Sequence, residues 1–178
     1  FKCGPIISGH QDFAPGMWGL FKGDLQVAFA KTTSHSGIAQ DPWDNNGISI
    51  DGHGANPRGD SGSKVLWVED KPEYLHLAAS AHTAFNSEQQ GWNAVEEYYR
   101  ELMWLKPGAD GRQFVVIADR VRFREAGHVA VWHLNTPGPI ATRQAGSTLF
   151  LHRLLPDGAQ SGQHEVRLGT AGAVSGWR

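Results

Sequence analysis

Short apolar runs with a period of two, each fenced by glycine, proline, aspartate or asparagine, recur along almost the whole chain. "MWGLF" (Met17–Phe21), "LQVAFA" (Leu25–Ala30), "GISI" (Gly47–Ile50), "KVLWVE" (Lys64–Glu69) and "YLHLAAS" (Tyr74–Ser80) open the series. "QFVVIADRVRF" (Gln113–Phe123), "HVAVWHLN" (His128–Asn135) and "STLFLHRLL" (Ser147–Leu155) continue it. Alternation sends every second side chain to the same face of an extended strand, so each run reads as a strand with one apolar face. "NAVEEYYRELMWL" (Asn93–Leu105) is ambiguous, because Val95, Tyr98, Tyr99, Leu102 and Met103 also suit a helical face. It leads straight into "KPGADGR" (Lys106–Arg112), whose proline, glycines and aspartate suit a hairpin turn before the next strand. A hairpin explains that turn, so this segment too is predicted as a strand. The expected fold class is all-β: a large antiparallel sandwich, with residues 1–178 forming a single domain.

Bulk properties narrow the function. A chain of 178 residues buries roughly 70% of its unfolded surface and needs no covalent staples. The net charge of -2 argues against nucleic acid as an obligate partner, which calls for a strong basic excess. Cys3 is the single cysteine, so neither an internal disulfide framework nor a cysteine-based zinc site can form. No stretch approaches the roughly 20 apolar residues of a membrane span, and no signal peptide is recognisable. The abrupt strand-like start at "FKCGP" gives the expectation of a mature or excised piece of a longer chain.

Chemistry concentrates in "DNNGISIDGHGANPRGD" (Asp44–Asp60), a stretch crowded with asparagine, aspartate, histidine, arginine and glycine. It reads as the rim of a site for a polar substrate, the competing reading being a merely polar turn. His53 stands between two glycines, with room to face a ligand. His10 lies in the polar stretch "SGHQDF" (Ser8–Phe13). These two are the candidate catalytic residues. Asn45, Asn46 and Arg58 are the candidate substrate-binding residues; the Arg58 fork suits a sugar carboxylate. His76, His133 and His152 sit inside strand patterns and read as ordinary strand histidines. His10, Asp12, Asp24, His35 and His53 offer a donor set for zinc, but without tight ligand spacing. The expectation is therefore no cofactor, with a weak zinc or calcium site at His10, His35 and His53 as the alternative. No P-loop, dinucleotide fingerprint or nucleophile elbow occurs.

Seven pieces in one order carry a resemblance: "SGHQDFAPGMWGLFKGD" (Ser8–Asp24), "DNNGISIDG" (Asp44–Gly52), "AHTAF" (Ala81–Phe85), "RELMWLKP" (Arg100–Pro107), "VVIADRV" (Val115–Val121), "WHLN" (Trp132–Asn135) and "LFLHRLLP" (Leu149–Pro156). Together they resemble the C-terminal β-sandwich of the heparinase II/III-like polysaccharide lyases, across nearly the whole chain. The resemblance implies a supersandwich that in full-length members follows an N-terminal α/α toroid, absent from these residues. It implies cleavage of an acidic, uronate-containing polysaccharide by β-elimination. A group neutralises the carboxylate, a tyrosine or histidine takes the C5 proton, and an acid protonates the departing O4. Tyrosine and the neutralising asparagine come from the toroid, and the sandwich lends a histidine. The resemblance also implies a periplasmic or secreted bacterial protein.

The chain departs from the family pattern in places. The family's sandwich histidine falls on Ser8, its metal-ligand positions fall on His10, Ala28 and Asn45, and "AHTAF" has His82 and Phe85 where the family has aspartate and tyrosine. This describes a divergent member. Alternatives are a non-catalytic carbohydrate-binding or scaffolding sandwich, and a sugar isomerase or hydrolase on a similar fold.

Overall fold

The structure, a computed structural model, describes residues 1, 3, 16–22, 25–28, 46–55, 62–87, 92–111, 113–135, 140–145, 148–154 and 160–167. It is all-β and antiparallel throughout, as the alternation predicts. The chain divides into two compact units, Phe1–Asn135 and Thr136–Arg178.

In the first unit, β1 (Leu20–Lys22) pairs with β2 (Leu25–Ala28). After β3 (Ile48–Ile50) come the long neighbours β4 (Lys64–Asp70) and β5 (Tyr74–Ser80). A 3₁₀ turn at His82–Phe85 leads into the short pair β6 (Asn86–Ser87) and β7 (Trp92–Asn93). The ambiguous segment is the strand β8 (Val95–Leu105), which forms a hairpin with β9 (Phe114–Phe123). Finally β10 (Ala130–Trp132) returns to pair with β3. The main sheet has the order β4-β5-β8-β9. In the second unit β11 (Ile140–Ala145), β12 (Thr148–Leu154) and β13 (Gln160–Arg167) form a three-stranded antiparallel meander.

The core of the first unit follows from the pleat. On β8, Tyr98, Arg100 and Leu102 are buried and Glu101 is exposed, because consecutive residues face opposite sides. The buried row meets two apolar clusters. One joins Ile48 and Ile50 of β3 to Ala84, Phe85, Val95 and Tyr98. The other joins Trp18 and Ala28 to Leu102, with Leu77, Trp104 and Ile117 packed against it. The inner face of the main sheet thus packs on β1–β2 and on β3–β10, and Trp132 touches both clusters. Phe85 meets Tyr98 edge to face at 5.3 Å. Each such fully buried large side chain contributes about 1.5–3 kcal/mol.

Candidate functional site

The predicted rim is built on a tight turn. Ile50 and His53 exchange both backbone hydrogen bonds at 2.8 Å, and Asp51 and Gly52 between them have φ of 52° and 77°. Two successive positive φ values define a type I′ hairpin turn, for which Asp-Gly is among the favoured pairs. Asp51 then clasps the segment entering β10. Its Oδ1 accepts from the Val129 amide at 2.8 Å, its Oδ2 lies 2.6 Å from His128 Nδ1, and its own amide donates to Val129 O at 2.9 Å. Burial alone raises the Asp51 carboxyl. The hydrogen bonds from Val129 and His128, with the nearby His128 and His53 charges, outweigh that and hold it below the usual carboxylate range. His53 is exposed beside this clasp, its ring 5.4 Å from the indole of Trp92. An imidazole next to a partly exposed indole offers a flat apolar face and a hydrogen-bonding edge.

Next to Asn46 lies an ion pair whose arginine is buried. Arg100, 1% exposed, makes a two-pronged contact with Asp119, Nε to Oδ1 and Nη2 to Oδ2, both at 2.6 Å. Its Nη1 donates to Gly16 O at 2.8 Å and Asn46 O at 3.0 Å, and Tyr98 Oη donates to Asp119 Oδ1 at 3.1 Å. Burial works against the Arg100 charge, but Tyr98 and Asp119 more than offset it and raise its pKa. Burial, with Asp119 beside it, pushes the Tyr98 phenol well above its ordinary value.

Asn46 is the candidate residue the structure places beside this pair. It is fully buried; its Nδ2 donates to Trp18 O at 2.9 Å and its Oδ1 accepts from Asn135 N at 2.6 Å. Both ends of the amide are committed to backbone groups, so the side chain braces three segments. His53 stands on the exposed rim. His10, His35, Asn45 and Arg58 lie outside the described residues, as do Asp12 and Asp24. Close to Asn46 the structure adds a pair the sequence did not single out. Ser49 Oγ lies 2.8 Å from His133 Nε2, and burial lowers the His133 pKa, which favours the neutral imidazole. Trp18 Nε1 and Asn135 Nδ2, both within the segments that Asn46 ties together, are buried donors without a hydrogen-bond partner among the described residues.

Among the described residues nothing fits the zinc that the resemblance implies. Ala28, at one of its ligand positions, offers no donor and is packed at 3% exposure in an apolar cluster. Among the described residues no three His, Cys, Asp or Glu side chains are placed to share a metal. A cavity of about 160 Å³ between Trp18, Leu77, Leu102, Trp104 and Val115 has no charged side chain among the described residues that line it. Among the described residues no helix is long and apolar enough to cross a membrane.

Asp51, His128, Trp92 and Arg100 were not among the sequence candidates. Arg100 and Asp119 left a legible signal: each is the charged member of an inward row, Tyr98-Arg100-Leu102-Trp104 and Val115-Ile117-Asp119-Val121. The Asp51 clasp and the Trp92 pairing left none, because each joins segments far apart in sequence. Comparison of the sequence with protein-family models and with curated proteins gives no match.

Proposed function

We propose that this chain is the β-sandwich part of a polysaccharide lyase of the heparinase II/III-like kind, acting on a uronate-containing polysaccharide by β-elimination. The observation that supports the reading is a convergence. Five of the segments that carry the resemblance meet at one buried centre: Gly16 and Trp18, Asn46, Arg100, Asp119 and Asn135 are joined by direct hydrogen bonds. Motifs that are far apart in sequence thus share one structural purpose, to fix the Asn46–His53 stretch. In this reading the adjacent His53 and Trp92 rings meet a sugar ring, with Arg58 and His10 as the further candidates for the carboxylate and the proton. The tyrosine base and the neutralising asparagine belong to a helical domain in this scheme.

A second reading, a carbohydrate-binding sandwich without catalysis, is favoured by Asn46 and Ala28. Both hold positions tied to substrate or metal in the lyase scheme, and both are buried in bracing or packing roles. One experiment addresses both readings. Alginate, heparin and chondroitin oligosaccharides are titrated into the 178-residue polypeptide by calorimetry, while the ultraviolet absorbance of the unsaturated uronate product is followed. Binding without turnover is expected, with product appearing only when the helical domain is supplied. Binding that never yields product, even with that domain, selects the second reading. Trp92→Ala should weaken binding about 2- to 10-fold, the loss of one aromatic contact. Arg58→Ala should cost about 1.5–3 kcal/mol of binding, the worth of a charge-assisted hydrogen bond. Absence of binding to every uronate saccharide would sink both readings.

A further inference from the structure

β4 is an edge strand of the main sheet among the described residues, and its middle is uncovered on both faces. Val65, Leu66, Trp67 and Val68 are 42, 37, 46 and 60% exposed. Four consecutive exposed apolar residues on an open edge invite another strand, because the unpaired N–H and C=O groups and the apolar side chains are satisfied together.

We propose that β4 is a self-association edge, along which a second copy of this chain pairs antiparallel over Lys64–Glu69, joining the two main sheets into one. The sequence "KVLWVE" is complementary to its own reverse. A two-fold axis between Leu66 and Trp67 sets Lys64 opposite Glu69, Val65 opposite Val68, and Leu66 opposite Trp67 of the second copy. In an unbroken strand this register would fail, since residues five apart face opposite sides. The bulge between Val65 and Trp67 removes that conflict. Lys64 pairs with Ser80 and Glu69 with His76, so both stand on one face of the sheet; Val65 pairs with Ala79 and Val68 with Leu77, so both stand on the other. A bulge and a lysine ordinarily blunt an edge. Here the bulge brings the complementary residues onto matching faces, and each lysine finds a glutamate. Glu69 already accepts from Tyr74 at 2.8 Å through Oε2 and pairs with Lys71 at 3.4 Å through Oε1; the Lys71 pair is long and exposed, and each carboxylate oxygen has a second lone pair, so Lys64 of the second copy can join or replace Lys71. The opposite edge, β9, has no such self-complement: its one carboxylate, Asp119, is held by Arg100, and Arg120 and Arg122 are paired with glutamates of β8.

The interface is small, so a dissociation constant in the micromolar range is expected. Sedimentation equilibrium of the full polypeptide from about 1 to about 500 µM reads it directly. Lys64→Glu and Glu69→Lys should each raise the dissociation constant about tenfold, since each replaces two attractive pairs per dimer by two repulsive ones. The double exchange Lys64→Glu/Glu69→Lys should restore it. Val68→Lys should leave a folded monomer by circular dichroism, because Val68 is exposed in the single chain. A wild-type monomer across the whole range would overturn the proposal. So would a dimer indifferent to Val68→Lys, or single charge variants that weaken a dimer which the double exchange does not rescue.

Discussion

Arg100 is the residue on which the rest of the first unit hangs. Four hydrogen bonds tie its guanidinium to a carboxylate and to two backbone carbonyls that, among the described residues, lie outside the strands. Arg100→Met should therefore destabilise the fold by about 3 kcal/mol, the low end for a broken buried pair, because the carbonyls of Gly16 and Asn46 and the partly covered Asp119 carboxylate lose their donor. Lysine at this position cannot reproduce the fork and should recover only part of the loss. Removing Asp119 as well should cost less than the two single changes added together, since the second change no longer strands a charge. Denaturant unfolding of the three variants checks this; strict additivity would mean the pair is energetically independent.

At the scale of elements, the turn at Asp51–Gly52 decides where the candidate rim sits. Gly52→Ala places a side chain at φ 77° and should cost roughly 1–2 kcal/mol, although open space surrounds the position. Asp51→Ala should both weaken the turn and release Val129. Faster hydrogen exchange at the Val129 amide, with β8 amides unchanged, is the expected signature. The hairpins were largely legible. β9 follows from alternation; β8, ambiguous by its periodicity, follows from the Lys106–Arg112 turn that makes it the first arm of a hairpin. β11 and β13 were not predicted: "IATRQA" and "QSGQHEVR" have few large apolar residues, so their period-two signal is weak. Their ladder with β12 rests on backbone pairing that side-chain patterns do not report.

At the scale of the whole molecule, His133 and Asp51 should each make stability fall with acid, in separate pH ranges. His133 has a folded-state pKa below its ordinary 6.5, so the unfolded chain binds its proton first. Its contribution is complete above about pH 6.5 and is lost as the pH drops below that value. Asp51 is lowered from its ordinary 3.8, so its contribution persists above about pH 3.8 and disappears as the pH falls through its folded value. Unfolding free energies measured from pH 8 to pH 3 should show both steps, and His133→Gln should erase the first alone. A stability flat between pH 7 and pH 5 in the wild type would contradict the burial of His133.

The all-β architecture is written in the alternation of the chain. Alternating apolar residues can be buried on one side only if the chain is extended, and turn residues between them force antiparallel neighbours. The sequence also marked the Asp44–Asp60 stretch, because so many polar groups beside glycines stand out locally. What Asn46 and Asp51 do within it emerges from long-range packing. Asn46 looked like a ligand contact in the sequence and is a fully buried brace, because Trp18 and Asn135 come to meet its amide from 28 and 89 residues away. Asp51 is tied to His128, 77 residues on, and Arg100 to Gly16, 84 residues back. Periodicity reports which way a side chain points relative to its own strand. It carries no information about which distant segment arrives opposite, and that is set by packing the sheet against the layer that covers it.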